Sequence, residues 1–90
     1  MSTRIGMYSI YDSNSGYWNL PFYCSSHLEA RHRLRQMLLE QNLPADKLVG
    51  LSLEYIGYFD YADGKTYRLN SEGGSELVAI LSDIFTDKEV

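Results

Sequence analysis

One capping signal divides this chain. Ser26-His-Leu-Glu29 places a serine three residues before a glutamate. At that spacing the hydroxyl and the carboxylate satisfy the orphan N–H groups of a helix N-terminus reciprocally. A helix is expected from about His27 to Asn42, with Asn42-Leu-Pro44 ending it. Ala30, Leu34, Met37, Leu38 and Gln41 fall on one stripe of that helix at ~100° per residue.

The flanking segments read as strands and tight turns. Arg4 to Tyr11 is apolar on both parities, which suits a strand covered on both sides or left open on one side for binding. Asp12-Ser-Asn-Ser-Gly16 is a turn by composition, and Tyr17 to Phe22 returns as a second strand whose end or exposed edge Pro21 marks. Gly50 to Asp60 is a third strand, with a β-bulge expected where its alternation breaks near Gly57. Asp63-Gly64 turns the chain into a short strand, Lys65 to Leu69. Ser75 then caps a final helix from Glu76 to about Phe85, with a terminal strand at Leu77–Leu81 as the alternative. The expected fold is α+β, ordered ββαββα. An antiparallel sheet from two hairpins packs the long helix on one face, and Ala30, Leu34, Met37 and Leu38 meet Ile5, Met7, Leu51 and Leu53. Residues 1–90 form a single domain. Strand edges at Tyr17–Phe22 or Lys65–Leu69 offer self-association, with a homodimer as the simplest outcome.

Composition narrows the function classes. Eight basic against twelve acidic residues give a net charge of −4, which argues against a polybasic DNA-coating protein. No apolar run approaches the roughly 18–20 residues of a membrane span, and residues 1–8 carry no leader-like apolar core. A single cysteine, Cys24, excludes an internal disulfide and every Cys-rich zinc pattern, and fits a reducing compartment.

No catalytic constellation, metal set or cofactor motif is expected. His27 and His32 are five residues apart and diverge by about 140° on a helix, so they cannot chelate one metal. Cys24 just before a helix raises a thiolate reading, but no orienting partner accompanies it, and a buried or loop thiol is the simpler account. Asp60 and Asp63 flank a hairpin turn, where turn chemistry explains them better than acid–base chemistry. The glycines make no phosphate loop.

Two features point to nucleic acid. Arg31, Arg33 and Arg35 form the densest positive charge in the chain. Read blandly, they are a solvated helix flank, with Arg33 paired to Glu29; read functionally, they contact phosphates. Eight tyrosines and one tryptophan interleave with them. Tyr8, Tyr17 and Trp18 on the first hairpin are the candidates for stacking on bases, beside those arginines. The same rings also suit a core or a protein-contact face.

The sequence also resembles a known family. Tyr8-Ser-Ile-Tyr-Asp-Ser13, Pro21-Phe22, Glu29-Ala30, Asp46, Leu53, Ile56-Gly57-x-Phe59-Asp60 and Gly64 resemble, in order and at similar spacing, the small nonstructural proteins of gokushovirus-type microviruses, which are single-stranded DNA phages. The resemblance spans roughly residues 7–65. It implies a non-enzymatic phage accessory protein in the host cytoplasm, binding viral single-stranded DNA or the replication and packaging complex. The alternative is an acidic protein–protein module that blocks a basic surface of a host defence or replication protein through Asp60, Asp63, Glu72 and Glu76.

Overall fold

A computed structural model describes residues 3–69 and 74–84. They form one antiparallel sheet with one α-helix on one side. The sheet is built on two long strands, β1 (Arg4–Asp12) and β4 (Leu51–Asp60), paired from Arg4 opposite Asp60 to Asp12 opposite Leu51. Each outer column is split in two. Beside β1 lie β2 (Tyr17–Trp18) and β3 (Phe22–Cys24); beside β4 lie β5 (Lys65–Arg68) and β6 (Glu76–Ile80). The helix α1 covers His27–Gln41, and 3₁₀ turns cover Ala45–Leu48 and Leu81–Asp83.

Local chemistry accounts for most boundaries. The two hairpin turns repeat one solution. Asp12 accepts the Asn14 N–H on its side chain and the Gly16 N–H on its carbonyl; Asp60 does the same for Ala62 and Gly64. Both glycines take a left-handed φ, 79° and 70°, which suits a residue without a Cβ. Helix α1 has the Ser26 half of the expected box, with the Glu29 N–H donating to Ser26 Oγ at 3.1 Å, while the Glu29 carboxylate accepts the N–H and hydroxyl of Ser25, one residue before the cap. It ends at Gln41 because Asn42 turns left-handed, with φ 53°. Pro21, without an N–H, falls in a break, so the expected strand Tyr17–Phe22 becomes two short pieces.

The bulge expected near Gly57 is present. Met7 faces Gly57 and Tyr8 faces Tyr55, leaving Ile56 as the extra residue. Its carbonyl accepts from the Leu69 N–H at 3.0 Å. A Cβ on Gly57 would run into the Tyr67 carbonyl oxygen, so this strand crosses its neighbour only with glycine there.

The core lies between α1 and the sheet. Ala30, Leu34 and Leu38 meet Tyr8, Ile10 and Leu53, closed at one end by Leu48, Leu81 and Ile84. Two expectations about this core are corrected. Met37 is only half-buried. Ile5 and Met7 face away from the helix, because strand alternation gives the helix side to Tyr8 and Ile10. Both parities of β1 are apolar, so period alone could not choose.

The expected C-terminal helix is replaced by a strand over Glu76–Ile80 and a short turn; Phe85 lies outside the described residues. The first half of β4 has an edge that β5 does not reach, and Leu77 and Ala79 fill it opposite Glu54 and Leu53. Ser75 donates to Glu54 Oε1 at 3.0 Å instead of capping a helix.

Leu34 is fully buried whereas Leu39 is 64% exposed. Leu34→Ala is expected to cost about 2–4 kcal/mol in denaturant unfolding, and Leu39→Ala less than ~0.5 kcal/mol. Equal costs would mean the wrong face of α1 is packed.

Candidate nucleic-acid interface

The structure separates the residues that sequence grouped. Tyr8 is 2% exposed and belongs to the core, with its ring packed by Phe22, His27 and Tyr55. It cannot offer a face to a base, so its assignment as a stacking residue is corrected. Its hydroxyl lies 2.8 Å from His27 Nδ1, and His27 Nε2 lies 3.5 Å from Glu76. This chain of contacts joins β1, the start of α1 and β6. Burial, reinforced by neighbouring Tyr55, pushes the Tyr8 phenol up to about 12. It therefore stays protonated through the physiological range.

The three arginines do not form one patch. Arg33 Nη1 donates to the Tyr23 carbonyl of β3 at 3.1 Å, and Nη2 lies 3.8 Å from Glu29. Arg33 is thus a brace between helix and sheet edge. Arg31 and Arg35 are half-buried and follow His27 along the opposite flank, the one nearest β6. Tyr17 and Trp18 are 77% and 45% exposed, but as successive strand residues they point to opposite sides of the sheet. Only Trp18 lies on the side away from α1, where it packs on Tyr11 at 4.7 Å between ring centres.

Other candidates have local roles. Cys24 is buried, and burial raises its thiol pKa, which keeps it protonated and unreactive near neutrality. Asp63 accepts from the Lys65 N–H and from the Tyr67 hydroxyl, and these bonds, Tyr67 foremost, hold its carboxyl below the usual value. Asp60 lies 3.9 Å from Arg4 in addition to its turn bond. Glu72 lies outside the described residues. Among the described residues no cluster of His, Cys, Asp and Glu could hold a metal.

The sequence left open whether β1 is covered on both sides or bare on one, and the structure leaves the side away from α1 without a helix among the described residues. Alternation puts Ile5, Met7, Ser9 and Tyr11 of β1 there, and the cross-strand partners add Trp18, Tyr23, Phe59 and Arg68. The rings meet edge to face: Tyr23 and Phe59 at 73° and 6.4 Å, Phe59 and Tyr61 at 87° and 5.5 Å. Tyr23 and Tyr61 are 39% and 63% exposed. Two recesses open on this face. One, of about 320 Å³, is walled by Ile5, Tyr23, Phe59 and Tyr61. The other, of about 330 Å³, is walled by Ser9, Trp18, Asn19, Pro21, Ile56 and Arg68. The signal available in sequence was the double apolar parity of β1. The side left uncovered became evident only once α1 was seated.

No protein-family model, curated protein or solved structure matches the chain.

The Tyr8 phenol gives a pH prediction with a defined sign. Its folded value, about 12, lies above the ordinary 10.0, so its contribution to stability is complete below pH 10 and fades as pH rises through 12. Thermal unfolding of the wild type should lose stability over that window more steeply than Tyr8→Phe. Parallel curves would remove Tyr8 as the titrating group.

Proposed function

We propose that the chain is a non-enzymatic accessory protein of a single-stranded DNA phage, working in the host cytoplasm, and that it meets DNA through the helix-free sheet face. The observation that carries this reading is the set of exposed rings on one sheet face, Tyr23 and Tyr61 at one recess and Trp18 at the other, where Arg68 also forms part of the wall. Single strands are held by stacking bases on aromatic side chains beside positive charge, and stacking tolerates any sequence because every base has a π-face. The microvirus resemblance over residues 7–65 supports the same class. Of the residues singled out in the sequence, Trp18 stays in the site. Arg31, Arg33 and Arg35 lie on the helix and Tyr17 on the helix side of the sheet. A net charge of −4 keeps affinity moderate, as suits transient handling of a genome.

The acidic-module reading has less support, because Asp60 and Asp63 are engaged in turn bonds and Glu76 faces His27. Self-association by strand pairing is a separate proposal. Its better site is Lys65–Arg68, since Pro21 interrupts the Tyr17–Phe22 edge.

Fluorescence titration with an unstructured single strand, repeated across salt, tests the DNA reading. Trp18→Ala should weaken binding by about 1–3 kcal/mol without changing the salt slope. Arg68→Ala should flatten the slope by about 0.7, one phosphate contact's worth. Absence of binding at low salt would overturn the reading and leave the protein-binding class.

A further inference from the structure

Stacked bases lie parallel and about 3.4 Å apart along a strand. The open face has no surface that continues such a stack. At the first recess Tyr23 meets Phe59 at 73° and Phe59 meets Tyr61 at 87°, so the ring planes that wall it run crosswise. At the second, Trp18 leans at 46° to Tyr11, its cross-strand neighbour. The recesses hold about 320 and 330 Å³. That is the small end of the roughly 300–1,000 Å³ of ligand pockets, and it suits one base each.

The recesses are also set apart. Each takes one wall residue from β1 and one from β4, Ile5 and Phe59 in the first, Ser9 and Ile56 in the second. Ile5 and Ser9 are four residues apart on β1, about 13 Å at the rise of a strand. Between them runs the cross-strand row Tyr23, Met7, Gly57 and Arg68. The Met7 side chain fills the middle of that row. It is 7% exposed, and its Cε lies over Gly57, 3.1 Å from where a Cβ would stand. No base enters there.

Bases seated in both recesses are therefore separated from one another. Each has exchanged contact with a neighbouring base for contact with a protein ring. We infer that this face binds the strand splayed, one base in each recess, and so selects strands that stack weakly, oligothymidine above oligodeoxyadenosine; this rests on the DNA reading above. Adenines in a free strand stack on both neighbours, and those that bridge the two recesses lose these contacts without gaining a ring. Thymines have little stacking to give up. A preference of this kind comes from stacking strength and backbone flexibility and needs no hydrogen bond to a base edge.

The test uses the full chain and end-labelled strands of one length, followed by fluorescence anisotropy at low salt. Oligothymidine should bind at least about fivefold more tightly than oligodeoxyadenosine. A second set carries two bases in an otherwise abasic strand, either adjacent or separated by a few abasic nucleotides. Separated thymines should bind more tightly than adjacent ones, because separated bases reach both recesses. In the separated arrangement the advantage of thymine over adenine should vanish, since no neighbour stacking remains to be broken. Trp18→Ala and Tyr61→Ala, at exposed positions of opposite recesses, should each erase the gain from separation. Oligodeoxyadenosine binding as tightly as oligothymidine overturns the splayed mode while the DNA reading stands. A thymine advantage that persists in the abasic strands also overturns it, because the base itself is then being read, and so does the lack of any gain from separation. Failure of every strand to bind, oligothymidine included, overturns the DNA reading itself.

Discussion

The pairing of β1 with β4 is the contact on which the rest of the sheet hangs. It runs the length of both strands, and each short outer strand pairs with one of these two. Residues so far apart in sequence meet only after the helix between them has reversed the chain. The capped helix and the long ladder therefore depend on each other. The ladder positions Tyr8, Ile10 and Leu53 side by side, and α1 buries them with Ala30, Leu34 and Leu38. Truncating this contact would release both outer columns together, whereas losing one outer strand leaves the central pair intact.

The bulge at Ile56 gives that ladder its two uses. One extra residue on β4 shifts alternation beyond Tyr55, so the strand serves the core with Leu53 and Tyr55 and still directs Phe59 outward beside Ile5 and Tyr23. Ile56 itself lines the recess shared by Trp18 and Arg68. A regular strand of the same length would place one set of side chains on the wrong side. Gly57 permits the bulge because the neighbouring Tyr67 carbonyl occupies the space of a side chain.

What could be read from sequence was local. The Ser26 helix cap, the Asp-to-Gly turns and the bulge near Gly57 each depend on a few adjacent residues, and the structure has all of them. What could not be read depends on partners distant in sequence. Glu76–Ile80 carries an apolar pattern that serves a helix or a strand, and the available edge of β4 decides. Tyr8 and Met7 are equally plausible core residues until α1 chooses a side. Helical rotation alone turns Arg33 away from Arg31 and Arg35, but that Arg33 reaches the Tyr23 carbonyl of β3 follows only from the packing of α1 on the sheet. Of the proposed binding face only Trp18 was singled out beforehand, because that face is assembled from five separate strands.

The divided outer columns carry a consequence for the protein at high concentration. A sheet with one broad uncovered face and two long free margins would be a template for further strands, each added ladder creating the next. Here neither margin is continuous: one is cut at Asn19–Pro21, and the other passes from β5 to β6 at different heights along β4. On the first margin Arg33 also holds the Tyr23 carbonyl. An incoming chain finds only two to five consecutive residues on any one outer strand, too few to seed a fibril. The interruptions let the protein display an aromatic surface without becoming the nucleus of its own aggregation.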